Sequence, residues 1–399
     1  MIRNEGGRIC DTVFMRIGID IRLLSHNRRT GVEEYTIALL REIFEQDKKN
    51  EYILLWNAWR GEEPDLTWIE KYPNVSVKKL HIPNKLLNLL MWYTKWPKID
   101  QLINGADIFF LPNMNFASVS RKCRLVMTVH DLSFEHIPEA FSWKRRLWHM
   151  FVNPKDLCKR ARKIIAVSNA SKEDLCEQYN TSRDRVEVVH SGVSKRFVPV
   201  DRNNLKLVAV KEKYKLPYKF IFFLGTIEPR KNIDALIRGY AYMQRMNPEL
   251  REYKLVIAGA KGWLSDDIEK KIKKTKSKNK ILFLGEVEEE DKPALYSLAS
   301  LFVYPSIFEG FGFPPLEAMR CATPVITANT TSLPEIVGNA AVLIDPDKPD
   351  EIAQAMKEVL FDRQLATELI YRGLHQSAKF TWEKTAQETI KIFKDMEKK

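Results

Sequence analysis

The 399-residue chain predicts an α/β protein built from two doubly wound parallel sheets. Short apolar runs alternate with helix-periodic segments from residue 16 almost to the C-terminus, the rhythm of parallel sheets covered on both faces. The length is about that of two ordinary domains. The alternation breaks once, over the charged stretch from about Ser194 to Pro217, which has no clear strand and places a boundary near Val200.

In the first half, Arg16–Asp20 reads as a short buried strand. Val32–Phe44 carries helical spacing through Tyr35, Leu39, Leu40 and Ile43. Further strands are expected at Tyr52–Trp56, Val75–Leu80, Asp107–Leu111, Leu125–Val129, Lys163–Val167 and Val186–Val189. Ser168–Ser171 opens a helix, and Ser171 with Asp174 has the spacing of a capping box. In the second half, strands are expected at Lys219–Leu224, Lys254–Ala258, Ile281–Leu284, Leu301–Tyr304, Pro324–Thr327 and Ala341–Ile344. A helix spans Asn232–Met246, a charged one follows Ser265, and helical patterns run from Pro349 to the end. Three segments result: 1–200, 201–380, and a terminal helix 381–399. Ligands of such sheets bind beyond the carboxyl ends of the strands.

Hydrophobic residues make up 45% and charged residues 29%, so the chain can bury a core and disorder is not indicated. The formal charge is +12, which fits either an anionic partner or a lysine-rich solvated surface. No nucleic-acid-binding motif is visible, and no nucleic-acid partner is expected. The five cysteines, Cys10, Cys123, Cys158, Cys176 and Cys321, are scattered and never in Cys-x-x-Cys spacing. This argues against a disulfide framework or a zinc site and fits a reducing cytoplasm. There is no apolar run of about 18 residues, and the first residues lack the apolar centre of a signal peptide.

The strongest chemical signal is Glu309-Gly310-Phe311-Gly312-Phe313-Pro314-Pro315-Leu316-Glu317, after the strand Leu301–Tyr304. Gly310 and Gly312 let backbone approach a ligand closely. Pro314 and Pro315 suit a first helical turn, whose N-terminus favours an anion. Glu309 sits in the turn and Glu317 about one turn into the helix, placed for two parts of one ligand. The second signal is Gly225-Thr226-Ile227-Glu228-Pro229-Arg230-Lys231-Asn232, between a strand and a helix. Arg230 and Lys231 beside free amide donors would neutralise a diphosphate and the charge that builds on it as it departs. The third is His130, in Thr128-Val129-His130-Asp131 at a strand's carboxyl end. Arg29-Thr30-Gly31-Val32-Glu33 opens the first long helix, where Gly31 suits either a ligand-facing loop or an ordinary cap.

The first of these segments resembles the E-x7-E motif of the family-4 retaining glycosyltransferases. The likeness extends from the RIGID run near residue 16, through KIIAVSNASKEDL and VEVVHSGV, to AAVLIDPDKPDEIAQAM and FTWEKTA. It implies the GT-B fold: two Rossmann-like domains facing a cleft, the first binding acceptor and the second the nucleotide sugar, with the last helix crossing back to the first domain. It also implies roles. Glu309 contacts the donor sugar and Glu317 the nucleotide ribose; Gly310, Phe311, Gly312 and Phe313 form the donor turn. Arg230 and Lys231 bind the diphosphate, with Arg230 supplying a charge that many members carry at the position of Thr226. His130 orients sugar or acceptor, and Gly31 approaches the donor phosphates.

The reaction so implied is hexosyl transfer with retention. The donor is a nucleotide diphosphate sugar, GDP-mannose first and a UDP-sugar second, by likeness to bacterial mannosyltransferases of O-antigen and exopolysaccharide synthesis. The acceptor is a glycan or polyprenyl-diphosphate-linked oligosaccharide. No Asp-x-Asp clamp stands out, so neither a metal nor a separate cofactor is expected. Lys85–Lys98 and Trp143–Phe151 mix cations with aromatics. They suit either an anionic membrane interface or, at Lys85–Lys98, an amphipathic helix packed on the core. The expected place is the cytoplasm, at the inner face of the cell membrane if those segments touch it. Two other readings use the same residues: a GT-B sugar-nucleotide epimerase, and a non-catalytic nucleotide-sugar-binding subunit.

Overall fold

The computed structural model describes residues 15–25, 31–59, 64–201, 203–260, 262 and 278–397. Thirteen strands form two sheets among these residues. The first contains β1 (Arg16–Asp20), β2 (Glu51–Asn57), β3 (Val75–Leu80), β4 (Ile108–Leu111), β5 (Arg124–Val129), β6 (Lys163–Ala166) and β7 (Val186–Val188). Their order is β3-β2-β1-β4-β5-β6-β7. The second contains β8 (Phe220–Leu224), β9 (Lys254–Ala258), β10 (Ile281–Gly285), β11 (Leu301–Tyr304), β12 (Val325–Ala328) and β13 (Val342–Ile344), in the order β10-β9-β8-β11-β12-β13. The pairings of β1 with β2 and β4, and of β8 with β9 and β11, are parallel.

Burial explains why these runs become strands. Every residue of β4, β8, β11 and β12 is buried, as expected of central strands covered on both faces. At the edge, β3 (VSVKKL) mixes half-buried and exposed positions and carries two lysines, which suits a strand with one unpaired side. Tyr35, Leu39, Leu40 and Ile43 all lie in the core, on the buried face of the helix Gly31–Gln46.

In the second sheet the chain runs outward from β8 through β9 to β10, then returns to the other side of β8 with β11. This reversal makes the carboxyl ends of β8 and β11 a topological switch point, where open α/β sheets bind ligands. The loops bearing Arg230–Lys231 and Glu309 leave from those two ends.

By packing, the chain divides into two compact units. One takes residues 1–128, 152–165 and 386–399; the other takes 129–151 and 166–385. In the first unit, Phe393 of the terminal helix Trp382–Glu397 meets Phe110 of β4 edge-on, with ring centroids 5.5 Å apart. Cys123, Cys158, Cys176 and Cys321 are free thiols.

One detail differs from the sequence reading, and a second goes beyond it. The helix Asn169–Tyr179 is capped by Ser168, whose hydroxyl accepts from the Ser171 amide at 3.1 Å. Ser171 is therefore the third helical residue, and Asp174 pairs with His136 at 3.0 Å instead of closing a capping box. The charged interval before β8 contains a helix, Leu205–Lys213, with Leu207 and Val210 buried. The charged helix expected after Ser265 lies outside the described residues.

Candidate functional site

The site is built from the loop after β8 upward. The Gly225 and Ile227 amides donate to Ala258 O and Ala260 O, each at 3.0 Å, carrying the β8–β9 pairing past the end of the strand. Pro229 then starts a 3-10 turn, Pro229–Lys231, and Asn232 turns the chain into the helix Ile233–Met246 from a left-handed conformation (φ 55°). The Lys231 and Asn232 amides donate to Glu228 O and Pro229 O, both at 3.0 Å. These four amides are thus spent on protein carbonyls. The amides that precede the helix's first intrahelical bond, from Leu236 to Asn232, are those of Ile233, Asp234 and Ala235. The charge this loop presents comes chiefly from its side chains.

The loop after β11 is laced onto that turn. The carbonyl of Arg230 accepts from the Ile307 amide at 2.8 Å, and the Ser306 hydroxyl oxygen lies 3.1 Å from it. In return, the Arg230 guanidinium donates to Phe308 O at 3.1 Å and to Glu309 Oε2 at 3.2 Å, and through Nε to Glu228 Oε1 at 2.5 Å. Lys231 Nζ contacts Glu309 Oε1 and donates to the Tyr304 hydroxyl at 2.7 Å. The hydroxyls of Ser306 and Tyr304 donate to that same Oε1 at 2.6 and 2.8 Å. The sequence reading's Arg230, Lys231 and Glu309 are therefore one cluster, buried apart from a partly exposed Arg230.

The charge states follow from this packing. Burial by itself would raise the Glu309 carboxyl. Lys231 and Arg230 nearby, with hydrogen bonds from Lys231 and Ser306, outweigh it and hold the group at about 2. Burial and the adjacent Arg230 pull the Lys231 ammonium below the usual lysine range, while Glu309 and Glu228 act to keep its proton. Burial likewise opposes the charge of Arg230, but Glu309, Glu228 and Asp131 more than offset it and raise its value. Two cations thus face two carboxylates, with a third, Asp131, close by.

Gly310 packs directly on the strand end that carries His130. A Cβ there would lie 1.7 Å from the His130 carbonyl oxygen and 2.9 Å from the Asp131 Cβ, so only glycine fits. Gly312 caps the helix Phe313–Arg320 from a left-handed conformation (φ 106°), with Pro314 in the first turn. Phe311 is buried, its ring near Phe380 (5.8 Å) and Phe313 (5.0 Å), and Phe313 stacks on Trp382 at 6.2 Å. What Phe311 and Phe313 offer a ligand is therefore mainly backbone. Glu317 is buried and accepts from the Tyr296 hydroxyl at 2.8 Å. Gly31 opens its helix, and among the described residues a Cβ there would meet no atom within 4 Å. Arg29 and Thr30 lie outside the described residues.

Several contributors escaped the sequence reading. Tyr304 and Ser306 shape the Glu309 carboxylate, Glu228 orients Arg230, and Tyr296 holds Glu317. The Thr331 and Ser332 hydroxyls tie down the Glu309 backbone, accepting from its amide at 3.1 Å and donating to its carbonyl at 2.9 Å. Tyr304 closes a strand that reads as plain core, and nothing in the apolar pattern marks its hydroxyl.

Fold and site together define a two-sheet, GT-B glycosyltransferase. Residues 209–376 match the model for glycosyl transferases group 1, and residues 29–196 match that for glycosyltransferase family 4. The chain belongs to the family-4 glycosyltransferases and is a glycosyltransferase. It is 36% identical over 299 residues to O-antigen chain mannosyltransferase B of Escherichia coli, covering 74% of each chain. It is 34% identical over 278 residues to the serotype-specific mannosyltransferase WbdA of Escherichia coli, covering 68% of this chain and 33% of that one, so it matches about a third of that relative's length. Among solved structures, the sucrose-phosphate synthase of Thermosynechococcus elongatus superposes with a TM-score of 0.73 at 19% identity, covering 96% of this chain and 99% of the other.

Proposed function

We propose that this glycosyltransferase moves a mannosyl group, with retention and without a metal ion, from GDP-mannose to a hydroxyl of a lipid-linked glycan. The observation that carries the reading is the Arg230–Lys231–Glu309 cluster at the switch point of the second sheet. The likeness to two mannosyltransferases supports the choice of sugar.

In this reading the diphosphate lies against Arg230 and Lys231, and the sugar against Glu309. The bond from the anomeric carbon to the β-phosphate oxygen breaks. The bond to the acceptor oxygen forms on the same face, and the acceptor's proton passes to the departing phosphate oxygen. Negative charge grows on the diphosphate in that step, and two fixed cations in a desolvated site stabilise it there. Both cations are matched by carboxylates in the structure, so an arriving diphosphate competes with Glu309 and Glu228 for them. Glu309, held ionised, is positioned to accept from a sugar hydroxyl and to favour positive charge at the anomeric carbon. Glu317, fixed by Tyr296, takes the ribose. His130, directly after β5, is assigned to orient the sugar or hold the acceptor.

The acceptor's lipid end implies a bilayer surface close by. The helix Trp143–Val152 leaves Trp143 66% and Met150 63% exposed, with Leu147 and Phe151 also exposed. At helical spacing these four form one stripe, flanked by Lys144 and Arg146, as in a helix lying on an anionic interface. In the helix Asn84–Tyr93, Leu87 and Met91 are buried, while Leu86, Leu89, Trp92 and Tyr93 are exposed. That helix therefore packs on the core and offers apolar surface as well. Among the described residues no helix is long and apolar enough to cross a membrane.

A nucleotide-sugar panel tests the assignment. GDP-mannose should raise the thermal midpoint most, because a ligand bound only to the folded chain stabilises it. The transferred sugar should keep its anomeric configuration, and transfer should survive EDTA. An inverted product, or no response to any GDP-sugar, overturns the reading.

A further inference from the structure

Glu335, which no site motif includes, makes a dense set of hydrogen bonds. Its carboxylate accepts from the Asn169 amide through both oxygens at 2.9 Å, from the Asn169 side-chain amide at 2.8 Å, and from the Ala170 amide at 3.3 Å. His190 Nε2 lies 2.6 Å from Oε1. Asn169 and Ala170 are the first two residues of the helix Asn169–Tyr179, so Glu335 satisfies amides that the helix itself leaves unpaired. The amide of the third, Ser171, goes to the Ser168 cap.

The same helix end reaches both the Glu309 turn and the residue that follows β5. The fully buried Ser168 hydroxyl donates to Gly310 O at 2.7 Å. The Ser171 hydroxyl lies between two carbonyls, 3.3 Å from Gly310 O and 3.4 Å from His130 O. Glu335 in turn follows the segment that fixes the Glu309 backbone through Thr331 and Ser332. These bonds form a ring from Glu309 through Ser332 and Glu335 to the helix end, then through Ser168 to Gly310.

We propose that Glu335 is a positioning residue, setting the His130 strand end against the Glu309 turn by fixing the helix end that holds both. It touches no reacting atom in this scheme. Its carboxylate clamps Asn169 and Ala170, and the clamp carries through Ser168 and Ser171 to the carbonyls of Gly310 and His130. The inference rests on the proposed site for its kinetic consequence, but its structural claim stands apart from it.

Hydrogen exchange on the full chain tests the structural claim without activity. Glu335→Gln should speed exchange about tenfold or more in peptides covering residues 128–133 and 305–313, as expected when a local clamp opens. Glu173→Gln, which removes an exposed partner of Arg183 on the same helix, should leave both peptides unchanged. In transfer assays Glu335→Gln should lower kcat about tenfold or more while the donor KM moves less than about threefold, the mark of lost alignment rather than lost binding. Combined with Ser171→Ala, the two losses in kcat should be less than additive, because both act through one helix end. If Glu335→Gln fails to fold, Asn169→Ala, which removes the side-chain bond to Glu335, is read in the same two ways. Unchanged exchange in both peptides, a kcat within about twofold of wild type, or fully additive losses overturn the proposal. Altered exchange in Glu335→Gln, beside a wild-type chain that itself transfers no sugar from any donor, would instead count against the proposed function and leave the clamp standing.

Discussion

Lys231 and Glu309, 78 residues apart in sequence, form a buried ion pair that joins the loops at the carboxyl ends of β8 and β11. The Tyr304 hydroxyl accepts from that ammonium and donates to that carboxylate. An ion pair so desolvated is sensitive to the loss of either partner, and this makes its two halves separable by substitution.

Glu309→Gln keeps the shape but removes the charge that occupies Arg230 and Lys231. Turnover should fall about 10²- to 10³-fold, the scale of losing one preorganised electrostatic contact. Donor binding should hold or tighten, because the two cations no longer share themselves with a carboxylate. Calorimetry with the nucleotide sugar checks this, and binding weakened in parallel with kcat would place Glu309 in ground-state binding instead.

Lys231→Ala should act in the opposite direction. It removes the proposed diphosphate partner and leaves the Glu309 carboxylate with only Arg230 as cation. Both donor affinity and kcat should drop, with kcat/KM down by about 10² or more. Steady-state kinetics over a range of donor concentrations measures it.

Acid should expose the same pair. The Glu309 carboxyl lies at about 2 against an ordinary 4.5, so the unfolded chain binds the extra proton between those values. The stabilisation, on the order of 3 kcal/mol, is therefore present above about pH 4.5 and lost as the pH falls toward 2. Thermal midpoints from pH 6 to pH 2.5 should fall less steeply in Glu309→Gln than in wild type.

Gly310→Ala should damage the fold before it damages chemistry. The added carbon would sit 1.7 Å from the His130 carbonyl oxygen, and backbone on both sides would have to part. A destabilisation of about 3 kcal/mol or more is expected, read as a lowered denaturation midpoint, with activity lost alongside it.

The stripe on the helix Trp143–Val152 should bind vesicles that contain phosphatidylglycerol and release them in high salt, since attraction of basic residues to anionic lipid is screened. Replacing Trp143 and Met150 with serine should abolish co-sedimentation without reducing transfer to a water-soluble acceptor. Equal binding to neutral phosphatidylcholine vesicles would remove the electrostatic part.

Local pattern was enough to locate the strands. Apolar runs of four or five residues mark β4, β8 and β11 because a covered parallel strand must be apolar on both faces. It also singled out Glu309, Gly310, Arg230 and Lys231, whose types and spacing have few other uses. Capping was less legible: serines at 168 and 171 both suit a helix start, and only the fold shows that Ser168 is the cap and that Asp174 serves His136.

By itself, the sequence determined the α/β alternation, the order of the strands along the chain, and the polar residues Arg230, Lys231 and Glu309 that the fold gathers into one cluster, because these follow from short-range periodicity and side-chain chemistry. Tertiary structure alone decided that Arg230 and Lys231 are matched by Glu228 and Glu309, that Gly310 rests on the His130 carbonyl, and that Glu335 caps a helix 166 residues earlier. Such contacts depend on which strand ends become neighbours in a sheet, a relation that no local spacing encodes.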